Sequence, residues 1–238
     1  MPACRAVLRF QPLALQALHM GNQDTMLAGP EPTKTNKSMR RRKQNLKVQL
    51  STMFCTLLVA GSAAAATVGG YPFDDSIRMQ GRELRLNGAG VRYKMIFSVY
   101  SAGLYLGEKH KHPADVYAVP GPKRMRIVML RGVNADEFGQ AFLAGIEQNV
   151  DKAERARLAE PLGRFGQLFS TIPELKKGDA LAIDFLPGQG TSVSLNGRQV
   201  GEVIAEPAFY TVLLKIWLGE RPADSKLKSA LLGEGDGG

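Results

Sequence analysis

The sequence predicts an α+β domain, an antiparallel β-sheet with helices packed on one face. Three observations predict it. Residues 76–106 alternate apolar and polar side chains, residues 134–172 carry two amphipathic helical stripes, and residues 180–204 form a meander cut by glycine turns ahead of a last apolar helix. Strands, then helices, then strands, then a helix suit an antiparallel sheet better than a βαβ alternation.

The domain does not begin at the N-terminus. Arg40-Arg41-Arg42-Lys43 precede an apolar run from Leu50 to Val59 and then Ser62-Ala63-Ala64-Ala65-Ala66, the positive, apolar, small order of a secretory signal. Ser51, Thr52, Thr56 and Gly61 dilute the run, and a membrane span needs roughly 20 mostly apolar residues. Cys55 follows Met53-Phe54 rather than small residues, which argues against a lipid anchor. The expected division is a disordered or mis-assigned extension (1–38), a signal peptide (39–66) cleaved near Ala66, one domain (67–232) and a flexible tail (233–238). Met39 is then the natural initiator, with an organelle presequence or a twin-arginine signal as alternatives. Export implies a periplasmic or secreted protein with no stable membrane anchor after cleavage.

Removing the leader changes the charge and redox reading. The chain has 31 Lys/Arg and 22 Asp/Glu; residues 1–66 hold nine and two of these, so the domain is close to neutral. Lys123-Arg124 with Arg126 and Lys176-Lys177 are too short for a nucleic-acid footprint, and no nucleic-acid partner is expected. Cys4 and Cys55 both lie upstream of the domain, which therefore has no disulfide, thiolate nucleophile or cysteine metal site. Its stability must come from its core.

Taken in order, Ser76–Arg78, a Gln80-Gly81 turn and Glu83–Leu86 read as a hairpin, and Asn87-Gly88-Ala89-Gly90 as a loop. Val91, Tyr93, Met95, Phe97 and Val99 predict one strand with one buried face, resuming as Ala102–Leu106 past a bulge near Ser101 or Gly103. His112-Pro113-Ala114-Asp115 opens a short helix, Pro120-Gly121-Pro122 closes it, and Met125–Leu130 is a strand. Asn134 with Glu137, and Asp151 with Glu154, cap two helices. The first buries Phe138, Phe142 and Ile146; the second carries Leu158, Leu162, Phe165, Phe169 and Ile172, with a kink at Pro161. Pro187-Gly188-Gln189-Gly190 and Asn196-Gly197 are the turns of a three-strand meander. Phe209, Leu213, Ile216 and Trp217 stripe the next helix, Gly219 ends it, and Asp224 caps a short one reaching Leu232.

The sequence contains no HExxH, GxSxG or P-loop pattern. His110 and His112 sit in a lysine-flanked loop of the kind that is usually solvated, so no metal and no cofactor are expected. The informative stretch is Leu86-Asn87-Gly88-Ala89-Gly90-Val91-Arg92 followed by Val99-Tyr100-Ser101-Ala102-Gly103-Leu104-Tyr105-Leu106. It resembles the chalcone isomerase family, whose members turn through Gly-Ala-Gly-x-Arg into a strand ending in Gly-x-Tyr-Leu. Asp151-Lys152-Ala153-Glu154, Lys177-Gly178-Asp179 and the Asn196-Gly197 hairpin follow in that family's order, so the resemblance covers about residues 68–232 and is nearest to the exported bacterial members.

The resemblance implies an open-faced β-sandwich with a cleft between sheet and helices and an arginine, here Arg92, at the sheet end of it. In the plant enzymes that arginine steadies the charge of the closing phenolate; a guanidinium also binds carboxylates through its fork of donors. The other catalytic positions depart from the enzymes: their strand threonine matches Tyr100, their helix tyrosine, lysine and asparagine fall near Phe138, Ala141 and Gly145, and their last-helix hydroxyl falls on Tyr210. Fewer donors remain to hold an oxyanion. The first expectation is therefore a non-catalytic binder of a small apolar carboxylate such as a fatty acid. Arg92, Tyr93, Met95, Phe97, Tyr100, Tyr105, Phe138, Phe142 and Tyr210 are its candidate ligand residues. The alternative is an intramolecular lyase acting on an enone, with Arg92 and Tyr100 catalytic; a module with a filled core and no cavity is the third.

Overall fold

The computed structural model describes residues 65–234, so the extension, all of the leader but its last two residues, and residues 235–238 lie outside the described residues. Strands β3 (Ser76–Met79), β4 (Arg82–Lys94), β5 (Phe97–Leu106), β6 (Lys123–Met129), β9 (Ala180–Leu186), β10 (Gly190–Leu195) and β11 (Arg198–Ile204) form one antiparallel sheet. Its order is β11-β10-β9-β6-β5-β4-β3. Helices α1 (Pro113–Ala118), α2 (Ala135–Asn149), α3 (Lys152–Arg157), α4 (Ala159–Ser170), α5 (Pro207–Leu218) and α6 (Ser225–Leu231) complete the predicted α+β arrangement. No helix among the described residues is long and apolar enough to cross a membrane.

Alternation along the strands divides the core in two. Tyr100, Ala102, Leu104, Met125, Ile127 and Ile183 pack beneath the helices with Phe138, Phe142, Phe165, Phe169 and Trp217. The intervening residues Tyr105 and Val128 join Phe73, Leu84 and Leu86 on the other face. That second face is covered by a hairpin of β1 (Ala65–Val68) and β2 (Tyr71–Asp74), which no sequence signal had marked. Phe73 packs against Gly103, where a Cβ would stand 2.6 Å from its ring, and Ser101 Oγ donates to the Val68 carbonyl at 2.9 Å. A short β-ladder of β7 (Val133–Asn134) and β8 (Glu174–Leu175) ties the ends of the helical layer together.

The capping residues act as the sequence predicts: Asn134 Oδ1 accepts from Glu137 N, Asp151 Oδ1 from Glu154 N, and Asp224 Oδ1 from Lys226 N and Leu227 N. Asn196 and Gly197 both take positive φ, as a two-residue hairpin turn requires.

Three expectations are corrected. Asn87–Gly90 is not a loop but the middle of the 13-residue β4, with a register shift between Leu86 and Gly88. Its small residues serve close approach rather than chain reversal. A Cβ on Gly88 would run into the Ala230 carbonyl oxygen and one on Gly90 would sit 2.7 Å from the Ala230 Cβ, so both glycines form the seat of α6. Asn87 is buried beside them, donating to the carbonyls of Leu231 (2.7 Å) and His110 (2.9 Å) and accepting from His110 N. Secondly, Val91–Val99 is not one strand. The chain reverses at Met95-Ile96, with Met95 at φ 57°, and Tyr93, Met95 and Phe97 are exposed. Period-two alternation runs straight through a two-residue turn with neither glycine nor asparagine in it, so the reversal leaves no trace in the pattern. The bulge falls at Arg92/Tyr93 instead of Ser101 or Gly103. Thirdly, the second amphipathic stripe spans two helices, α3 and α4, broken at Leu158. Pro161 lacks an N–H and its ring excludes the carbonyl four residues earlier, so it stands in the first turn of a new helix.

Candidate functional site

Arg92 lies near the end of β4, opposite Tyr100 of β5, so both point toward the helices. The guanidinium carbon is 5.5 Å from the centroid of the Tyr100 ring. Its Nε is buried and has no hydrogen-bond partner among the described residues. Tyr100 is only 1% exposed, and its hydroxyl accepts a 2.9 Å hydrogen bond from Trp217 Nε1. Burial pushes the Tyr100 pKa up to about 12, against the opposing pull of Arg92. The phenol is therefore neutral at any physiological pH and cannot serve there as a base.

Above this pair opens a cleft of about 380 Å³. Arg92, Lys94 and Arg131 supply its positive charge, Glu137 a single carboxylate, and Met95, Phe97, Val99, Phe138 and Ala141 its apolar wall. Arg131 sits with its guanidinium carbon 5.1 Å from the Phe97 ring centroid. The cleft stops at Phe138. Behind it, rings pack in contact: Phe138 to Phe142 at 4.6 Å, Phe142 to Trp217 at 5.2 Å, Phe165 to Phe169 at 5.4 Å. The space beside Arg92 is thus a surface cleft rather than an enclosed hollow.

The chalcone isomerase-like family model matches residues 65–233. This chain belongs to the chalcone isomerase-like family. Among solved structures it is similar to the crystal structure of a fatty-acid binding protein from Arabidopsis thaliana. The two are 20% identical, the match covers 69% of this chain and 92% of that one, and the TM-score is 0.53, a likeness of fold. No curated protein matches the chain in sequence.

Within this chalcone isomerase-like domain the candidate residues divide. Arg92, Met95, Phe97 and Phe138 meet in the cleft. Tyr100 lies beneath Arg92, and Phe142 lies behind Phe138, 3% exposed. Tyr93 faces a different crevice with Val68, Gly69 and Ala230, while its backbone N–H donates to Asp224 Oδ2 at 2.9 Å. Tyr105 belongs to the opposite face of the sheet, its hydroxyl buried and unpaired and its pKa raised, chiefly by burial. Tyr210 meets the Phe185 ring at a tilt, centroids 5.5 Å apart, and its hydroxyl donates to the Ile183 carbonyl at 3.3 Å. The four tyrosines are not gathered at one place. Of the positions matching the enzymes' helix donors, Phe138 and Ala141 line the cleft, whereas Gly145 packs against Ile216.

Sequence reasoning missed Lys94, Val99 and Arg131 as cleft residues and Trp217 as the partner of Tyr100. A register argument reaches Arg131. Tyr100 pairs with Met129, so two residues further along, Arg131 comes level with Ser98, beside Phe97. Trp217 carried no such signal, being one of several apolar residues on α5. Among the described residues no three His, Cys, Asp or Glu side chains are grouped as a metal site.

Proposed function

We propose that this protein is a non-catalytic binder of a small apolar carboxylate of the fatty-acid class. The observation that carries the reading is the Arg92 guanidinium, half-buried against Tyr100 with its Nε–H unpaired, at one side of a cleft whose wall is apolar. A buried donor without a partner costs about 1–3 kcal/mol, and a carboxylate removes that cost. The relationship of fold to a fatty-acid binding protein supports the same reading. The cleft is small and closed at its inner end by Phe138, which favours a chain of medium length over a long one. Burying about eight methylenes yields roughly 6 kcal/mol gross before association costs, so affinity is expected in the micromolar to millimolar range.

The enone lyase is the weaker reading. It needs donors aimed at a developing oxyanion, and the Tyr100 hydroxyl is instead held in the core by Trp217. Export to the periplasm or the medium is proposed on the leader, and N-terminal sequencing of protein recovered outside the cytoplasm should begin near Thr67.

Calorimetric titration of the full chain with octanoate and decanoate tests the binding reading. Arg92→Ala should weaken binding tenfold or more with the far-UV circular dichroism unchanged. Equal affinity in the two proteins removes Arg92 as the anchor, and turnover of a chalcone by the parent chain restores the lyase.

A further inference from the structure

Five large apolar side chains are exposed among the described residues, and four of them, Tyr93, Met95, Ile96 and Phe97, stand on the single hairpin that joins β4 to β5. Met95 is 89% exposed, Ile96 84% and Phe97 53%. Scattered apolar residues on a surface are ordinary, but a cluster at the tip of one element marks a contact surface. Met95 also holds φ at 57°, a conformation that a long side chain adopts at a cost. Around this tip stand the three cations Arg92, Lys94 and Arg131 against two carboxylates, Glu137 in the cleft they share and Asp224, which accepts from the Tyr93 N–H at the base of the hairpin. An apolar point ringed by cations repels a second copy of itself and complements an anionic, apolar-cored surface.

We infer that the Met95-Ile96 tip inserts reversibly into the face of an anionic lipid bilayer. Lys94 and Arg131 meet the headgroups, and Met95 and Ile96 enter the acyl boundary. The insertion is peripheral and stands apart from any leader. It also deepens the binding reading, because Met95 and Phe97 wall the cleft as well as the hairpin, so the mouth of the cleft opens where an acyl chain would enter or leave the membrane. That last step rests on the proposed function; insertion itself does not.

The test uses the full chain carrying Ile96→Trp, mixed with vesicles of phosphatidylglycerol and dibrominated phosphatidylcholine. Trp217 is buried and shielded from the bromines. Val203→Trp, on β11 at the far edge of the sheet, serves as the control for any tethering by residues outside the domain. The expected result is a blue shift of the Ile96→Trp emission and quenching several times that of Val203→Trp. Adding Lys94→Ala should weaken partition about fivefold, the worth of one basic residue near a charged surface. Equal quenching of the two tryptophans overturns the inference. A blue shift without vesicles also overturns it, assigning the tip to a second copy or another part of the chain. Failure of the two proposals is separable. Ile96→Asp should abolish insertion and leave octanoate affinity unchanged, since Ile96 is not part of the cleft wall, whereas loss of affinity in Arg92→Ala bears only on the ligand.

Discussion

Two arginines stand beside buried tyrosines on opposite faces of the same sheet, and they have opposite fates. Arg124, on the face covered by the β1–β2 hairpin, is gripped by Asp184 through two hydrogen bonds of 2.6 Å, from Nε and from one terminal nitrogen. That hydrogen bonding raises its pKa further, and Tyr105, its pairing partner on the neighbouring strand, lies near enough to feel its charge. Arg92, on the helix face, rests on Tyr100 with an unpaired Nε–H and a cleft in front of it. The first cation is neutralised within the fold; the second has no carboxylate hydrogen-bonded to it among the described residues. A guanidinium's residue type says little about its role, whereas its supply of carboxylates says a good deal.

The comparison can be broken or sharpened in four ways, taken from the largest expected effect. Raising pH should destabilise the Arg92 side through Tyr100. Its folded pKa of about 12 lies above the unfolded 10.0, so its contribution is complete below pH 10 and is lost as pH climbs from 10 to 12. At about 1.36 kcal/mol per unit this approaches 3 kcal/mol. Thermal melts in that window should show the fall, and Tyr100→Phe should show a smaller one. An equal fall in both proteins would assign the alkaline transition elsewhere, to Tyr117 or Tyr210. Next, Arg124→Met strands the Asp184 carboxylate, 14% exposed on its side chain, and should cost about 2 kcal/mol by urea unfolding while octanoate binding survives. Trp217→Phe removes the donor to the Tyr100 hydroxyl and should cost about 1–2 kcal/mol in the same assay. Arg92→Met keeps contact with the Tyr100 ring, so its stability should stay within about 0.5 kcal/mol of the parent even as acid affinity falls. A stability loss matching Arg124→Met would make both arginines structural.

The elements legible in the sequence were those with local causes. Asn134, Asp151 and Asp224 announce helix starts because a cap is a contact three residues long, and Asn196-Gly197 announces a turn because its backbone needs positive φ. What escaped was non-local. The Asn87–Gly90 run looks like a loop until α6, some 140 residues later, is laid across it. The Met95-Ile96 reversal hides within an unbroken alternation. The site was half legible for the same reason. Arg92 came from a motif, and Met95, Phe97 and Phe138 from its neighbourhood. Arg131 required a strand register, and the dispersal of Tyr93, Tyr105 and Tyr210 required knowing which face each residue takes.

The glycine seat on β4 has a consequence for how the molecule comes into being. The strand is made early and the helix that rests on it is the last piece of the domain to be synthesised, so closure is an event of very long sequence separation. Until α6 has been made, Gly88, Gly90 and the Asn87 amide stay uncovered, and the Tyr93 amide lacks its Asp224 partner. A nascent chain in that state remains pliable along β4 until the helix docks, so the sheet sets only when its final piece arrives.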